Sequence, residues 1–245
     1  MDKNYLKNEQ YTLNIVKQAE IKAMEFYQGI FKPRLLARDN YKLPKNVLCL
    51  DLPCKVTCKY NCPNCYAYKT ERFHNNTVPE ARAYRYEIIK QALKNKKHYD
   101  FLIEYLCVEL DKHMQYCNKK NLLPIFRIHA SGDIFSNKYL ELLLHIVKLY
   151  PNINFYTYTK QLNNDTIDKL NQLPNLNIVK SIIKINGKNK INYGCMEYIN
   201  DLQNKLLDNN TDSYICQYGI SKENSTCMVD CNKCLHCSHV LFKQH

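Results

Sequence analysis

Short apolar runs alternate with amphipathic helical patterns through the middle of this chain. The runs predict strands at 46–50, 125–130, 153–159 and 177–185, and the patterns predict helices at 79–97, 99–118, 136–149 and 165–173. Strands that alternate with helices favour βαβ units and a parallel sheet. Because right-handed crossovers curl such a sheet, we expect an α/β fold built on a full or partial (β/α) barrel.

Changes in this rhythm divide the chain into three parts. Helical spacing of Ala19, Ala23 and Phe26, with a stop at Gly29, predicts an N-terminal helical extension over residues 1–45. We expect the barrel core over 46–186. A C-terminal cysteine-rich metal-binding module is expected over 187–245, with a helix near 196–207 and a strand near 213–216.

The number of cysteines points to metal chemistry. The chain has 245 residues and 13 cysteines. A core of this length folds without disulfides, and an odd number of cysteines argues against a fully paired framework. The first ten residues lack the apolar core of a secretory signal, and no apolar run is long enough to span a membrane. We therefore expect a cytoplasmic protein without membrane association, whose clustered thiols bind a metal.

The first cysteine group follows the first predicted strand. Cys58, Cys62 and Cys65 are spaced C-x3-C-x2-C, and Cys54 lies four residues upstream. Three thiolates in so short a segment can bind three corners of a cubane iron–sulfur cluster. Thiolates suit zinc equally well, and Cys54 can complete a four-ligand zinc site. The ligand type alone leaves the metal open.

The cysteine spacing and the segment that follows it resemble the radical S-adenosylmethionine (SAM) superfamily. Residues 126–160, FRIHASGDIFSNKYLELLLHIVKLYPNINFYTYTK, are similar to that family's second strand, GGE turn, helix and third strand. The resemblance implies that Cys58, Cys62 and Cys65 hold a [4Fe–4S] cluster whose fourth iron binds SAM. It also implies an enzyme that takes an electron from an external donor and cleaves SAM to methionine and a 5′-deoxyadenosyl radical. The radical then abstracts hydrogen from an unknown substrate.

The same resemblance implies a set of SAM-binding residues at the carboxyl ends of the predicted strands. They are Ser131, Gly132, Asp133, Thr159, Lys160 and Ser181. Asn64 departs from the aromatic residue common before the last cysteine, and Asp133 is one methylene shorter than the usual Glu. A simpler interpretation is a strand-to-helix turn in which Asp133 caps amides. Likewise, His129 on the preceding strand is either a contact for substrate or cluster, or a hydrogen-bonded core histidine.

A second resemblance covers most of the chain. The stretch RIHASGDIFS, the Cys65-Tyr66-Ala67 sequence and the C-terminal cysteines resemble a small phage- and plasmid-borne family known only by a gene-product label. This resemblance implies a shared architecture and leaves the activity and the substrate open.

The C-terminal cysteine group is dense enough to predict a second metal site. Its predicted ligands are Cys216, Cys227, Cys231, Cys234 and Cys237, and Cys195 lies further upstream. The spacing resembles ferredoxin-like runs and the auxiliary clusters of many radical SAM proteins. Zinc remains an alternative at this site. His236, His239 and His245 are further candidate ligands, but histidines in a short polar tail are more often solvated.

The net charge of the chain is +12, which leaves nucleic acid open as a partner. Thiolates on a metal make the loaded protein less basic than this number, and abundant lysine is also explained by genome composition. Two alternatives to the enzyme therefore stand. One is a zinc-stabilised module that binds nucleic acid or a protein partner, and the other is an iron–sulfur protein without catalysis.

Overall fold

The computed structural model describes residues 3–38, 43–60, 65–73, 77–181, 183–186, 190–193, 213–215 and 239–241. The helices in these ranges are α1 Lys3–Tyr27, α2 Cys54–Thr57, α3 Tyr66–Phe73, α4 Val78–Ala92, α5 Lys96–Lys119, α6 Asn137–Leu149 and α7 Asn164–Leu170. The strands are β1 Val47–Asp51, β2 Ile125–Ser131, β3 Asn154–Thr159, β4 Leu176–Lys180, β5 Ile183–Asn186, β6 Lys190–Tyr193, β7 Ser213–Ile215 and β8 His239–Leu241. None of the described helices is long and apolar enough to cross a bilayer.

The main sheet has four strands in the order β1-β2-β3-β4. Strands β2 and β3 pair in parallel with Phe126 opposite Phe155, and β3 and β4 pair in parallel with Tyr156 opposite Asn177. The predicted α/β fold with a parallel sheet is thus confirmed. Among the described strands the sheet ends at β1 and β4 and does not close, so the expected full or partial barrel is not confirmed.

Two local predictions need correction. The single strand predicted at 177–185 is two strands, because β4 ends at Lys180 and β5, which begins at Ile183, belongs to a second sheet. Strand β5 then pairs antiparallel with β6. The segment around the first cysteines, predicted as a loop, contains the one-turn helix α2 and begins α3 directly after Cys65. The helix predicted near 196–207 lies outside the described residues.

The chain forms two compact units. The first comprises Met1–Ala37, Leu50–Gln115 and His129–Ile146. In it α1 packs against α4 through a buried face that contains Ala19, Ala23 and Phe26. Helix α1 ends as predicted, since Gly29 has a φ of 76° and its N–H donates to the carbonyl of Phe26 (3.0 Å).

The second unit comprises Arg38–Cys49, Tyr116–Ile128 and Val147–His245. It contains β3, β4 and α7, and α7 packs against β4. The Asn171 side chain pairs with both backbone groups of Ile178, accepting from its N–H (2.7 Å) and donating to its carbonyl (3.0 Å). This pairing satisfies polar groups on a strand at the end of the sheet, which would otherwise be open to further pairing.

Candidate functional site around the first cysteine group

The SGD turn, residues 131–133, is tied to the start of the cysteine segment within the first unit. The N–H of Leu52 donates to the carbonyl of Ser131 (2.9 Å), and the Ser131 hydroxyl donates to the carbonyl of Leu52 (2.9 Å). Leu52 follows the last residue of β1, and Ser131 is the last residue of β2. The two sequence motifs therefore begin side by side at the carboxyl ends of two neighbouring strands.

Gly132 allows a close approach between the two motifs. Its φ is 88°, a left-handed conformation that residues with a side chain rarely adopt. A Cβ at this position would lie 2.6 Å from Thr57 Oγ1 and 2.7 Å from Leu52 Cβ. The next residue, Asp133, donates its N–H to Thr57 Oγ1 (3.2 Å). Both the backbone conformation and the contact with the cysteine segment thus require glycine here.

The acidic residue of the turn is buried. Asp133 is 3% exposed, and its Oδ1 accepts the N–H of Ile134 (2.7 Å). This oxygen therefore caps an amide, as the simpler interpretation of the turn expects. The hydroxyl of Tyr139 lies 2.9 Å from Nε2 of His129, and both side chains are buried. Burial, with a further contribution from Asp133, raises the pKa of Tyr139 well above its usual range. His129 is thus a hydrogen-bonded core histidine.

Two thiols of the first cysteine group are in hydrogen-bond contact. Cys54 is buried at the start of α2, and Cys65 immediately precedes α3. The hydrogen bond from Cys54 lowers the pKa of the Cys65 thiol to about 6, and the backbone N–H groups of Tyr68 and Ala67 act in the same direction. The same hydrogen bond, together with burial, raises the pKa of Cys54. The contact therefore favours the thiolate form of Cys65, the form in which cysteine binds metals.

The other two cysteines proposed for the first cluster are Cys58 and Cys62. Cys58 is half-buried and its sulfur lies 3.8 Å from the carbonyl oxygen of Tyr60. Cys62 lies outside the described residues. In the part of the chain that the structure describes, no three His, Cys, Asp or Glu side chains converge to hold a metal ion. The thiols of Cys54 and Cys65 nevertheless fit a soft-metal site in donor type and in proximity.

Three residues of this site were missed by the sequence analysis. Thr57 contacts the SGD turn, and Arg82 on α4 forms an ion pair with Glu71 on α3 (2.8 Å). The sequence does carry a signal for Arg82, because it shares helical spacing with Ile89, which is buried on α4. A charged residue on a buried helix face requires a partner.

The other predicted site residues lie elsewhere in the chain. Thr159, Lys160 and Ser181 belong to the second unit, at the carboxyl ends of β3 and β4. Thr159 is buried and its hydroxyl accepts the N–H of Gln161 (3.0 Å). The predicted ligands of the second metal site lie outside the described residues, as does Cys195; these ligands are Cys216, Cys227, Cys231, Cys234 and Cys237.

Comparison with known proteins decides the family. A family model described as Gene product 88 matches residues 16–239. The chain belongs to the Gene product 88 family. A relative, the Gene 88 protein of Mycobacterium phage D29, is 24% identical over 109 residues, which are 41% of this chain and 43% of the relative. The match thus spans less than half of that relative, and no solved structure matches the chain. The expected phage-borne family is confirmed, and the radical SAM resemblance stays a prediction.

Proposed function

We propose that this member of the Gene product 88 family is an iron–sulfur protein of the radical SAM type. The observation that carries the proposal is the contact of Gly132 with Leu52 and Thr57, which joins the SGD turn to the cysteine segment. In open α/β sheets, ligands bind beyond the carboxyl ends of the strands. The cysteine segment proposed to hold the cluster follows β1, and the turn proposed to bind SAM follows β2. Both therefore lie at the carboxyl ends of neighbouring strands.

Each group in this arrangement has a proposed role. Cys58, Cys62 and Cys65 hold a [4Fe–4S] cluster, and the lowered pKa of Cys65 favours the thiolate form of this ligand. The Asp133 carboxylate offers a negative charge to the ammonium group of SAM. When bound and reduced, the cluster supplies the electron that cleaves SAM into methionine and a 5′-deoxyadenosyl radical.

The proposal extends to the rest of the chain. The open sheet is the core of a partial barrel, and the C-terminal cysteines form a module with a second cluster or a zinc ion. Thr159, Lys160 and Ser181 contribute to SAM binding as the family resemblance implies. An external donor supplies the electron, and the protein's basic character leaves an anionic substrate or nucleic acid as its target.

A second candidate is favoured by one observation. The contact between the Cys54 and Cys65 thiols brings a fourth cysteine to the first group. Four cysteine thiolates are the usual ligand set of a structural zinc ion. In this alternative the first group stabilises the fold, and the protein binds nucleic acid through phosphate contacts, with an affinity that falls steeply with salt.

Substitution of Cys54 separates the two candidates. In the enzyme, Cys54 is not one of the three cluster ligands, so Cys54→Ala purified anaerobically should contain as much iron as the wild type. In a four-cysteine zinc site, the same substitution removes one of four ligands and should release the zinc. Iron and zinc are measured together by elemental analysis. Wild-type protein that is colourless and contains zinc without iron would rule out the enzyme and every other cluster-based function.

A further inference from the structure

Arg82 connects the two ends of the first cysteine segment. One guanidinium nitrogen, Nη1, donates to Glu71 Oε1 (2.8 Å) and to the carbonyl of Ala67 (3.1 Å), both on the helix that follows Cys65. The other, Nη2, lies 3.9 Å from Asp51 Oδ2, at the end of the strand that precedes Cys54. The Arg82 side chain is 6% exposed, so these contacts lie inside the first unit.

Glu71 extends this connection to Cys54 itself. Its Oε1 accepts the N–H of Cys54 (3.4 Å) as well as the Arg82 hydrogen bond. The carboxylate therefore fixes the backbone of Cys54 relative to α3, while the thiol of Cys65 immediately before α3 is in contact with the thiol of Cys54. Arg82 holds the carboxylate in place from α4, and its planar fork reaches Glu71, Ala67 and Asp51 at once.

Burial of this arginine carries a desolvation cost that its partners must offset. Desolvation of a buried charge is repaid only by well-placed partners, and apolar replacements of buried ion pairs are often as stable. The neighbouring Arg85, also buried on α4, donates instead to the carbonyl of Arg34, outside the cysteine segment. The two buried arginines of α4 thus bind different parts of the chain, and only Arg82 binds residues next to the cysteine segment.

We propose that Arg82 is a positioning residue that holds the Cys54 and Cys65 thiols together. It acts through Glu71 and Ala67 and fixes the separation of the two ends of the cysteine segment, whichever metal the segment binds. The inference deepens the proposed function, on which it rests, since it assigns a residue that positions Cys65, one of the three cysteines proposed to hold the cluster. Because it concerns the distance between thiols, it is testable in the metal-free protein.

The test is thiol crosslinking with dibromobimane, which joins two cysteines that lie side by side. Metal-free wild type, Arg82→Lys and the matched control Arg85→Lys are treated under reducing, anaerobic conditions. Mass spectrometry then quantifies the link between Cys54 and Cys65. Lysine retains the charge but lacks the fork, so Arg82→Lys should lower the yield about tenfold, equivalent to about 1.4 kcal/mol. Arg85→Lys should match the wild type.

Equal yields in Arg82→Lys and wild type, with circular dichroism showing both folded, would overturn the inference. If Arg82→Lys does not fold, Glu71→Asp decides, because it keeps the charge and withdraws the carboxylate by one methylene. Glu71→Asp should also lower the yield, and an unchanged yield would overturn the inference. Metal analysis of the same proteins tests the proposed function separately, since an absence of iron leaves the crosslinking result intact.

Discussion

Replacement of Gly132 by alanine should destabilise the protein by about 2–5 kcal/mol. The left-handed backbone costs a residue with a Cβ about 1–2 kcal/mol, and overpacking costs about 1–3 kcal/mol more. The new methyl group would lie 2.6 Å from Thr57 Oγ1 and 2.7 Å from Leu52 Cβ, so either the turn or the cysteine segment must move. Chemical denaturation of the metal-free protein measures the free energy of unfolding.

Gly29→Ala is the matched control for this substitution. Gly29 also has a left-handed backbone, with a φ of 76°, but a Cβ there would have no atom within 4 Å. Its replacement should therefore cost only the backbone term, about 1–2 kcal/mol. Equal losses of stability in Gly132→Ala and Gly29→Ala would contradict the close contact between the SGD turn and the cysteine segment.

Replacement of Cys65 by alanine should remove the first cluster altogether. Cys65 is the acidic thiol of the group, with a pKa lowered to about 6 by the hydrogen bond from Cys54 and by backbone N–H groups at the start of α3. Loss of this ligand leaves two of the three cysteines proposed for the cluster. Iron in the anaerobically reconstituted protein should fall by the content of one cluster. The visible absorbance of that cluster, which arises from sulfur-to-iron charge transfer, should be lost with it.

The control for this variant is Cys107→Ala. Cys107 lies half-buried on α5 in the same unit as the site, and no metal role is predicted for it. Its replacement should leave the iron content at the wild-type level. Equal iron contents in Cys65→Ala and Cys107→Ala would show that Cys65 is not a cluster ligand and would contradict the proposed first metal site.

Local patterns in the sequence predict most of the fold. The period of the apolar residues places β1 to β3 and the helices α5 to α7 within a few residues of their observed bounds, whereas α4 ends at Ala92, well before the predicted end at residue 97. Ser136 caps α6, with its hydroxyl accepting the N–H of Tyr139 (3.2 Å). These features depend on neighbours within one turn of helix or along one strand, so a short stretch of sequence is enough to predict them.

Contacts between distant residues explain what local patterns miss. Apolar residues lie on both sides of Ser181, at 178–179 and 182–183, so the sequence pattern does not reveal that β4 ends just before it. The fit of Gly132 against Thr57 depends on a pairing that no periodicity encodes. In the same way, the partners of Arg82 lie on α3 and at the end of β1, and only the folded chain brings them to one guanidinium group.

The formation of 5′-deoxyadenosine tests the central claim most directly. Wild-type protein is reconstituted anaerobically, reduced, supplied with SAM, and compared with Cys65→Ala under the same conditions. The proposed function predicts that the wild type releases 5′-deoxyadenosine and methionine and that Cys65→Ala releases neither. Wild-type protein that retains its iron but forms no more 5′-deoxyadenosine than Cys65→Ala would contradict radical SAM chemistry in this chain.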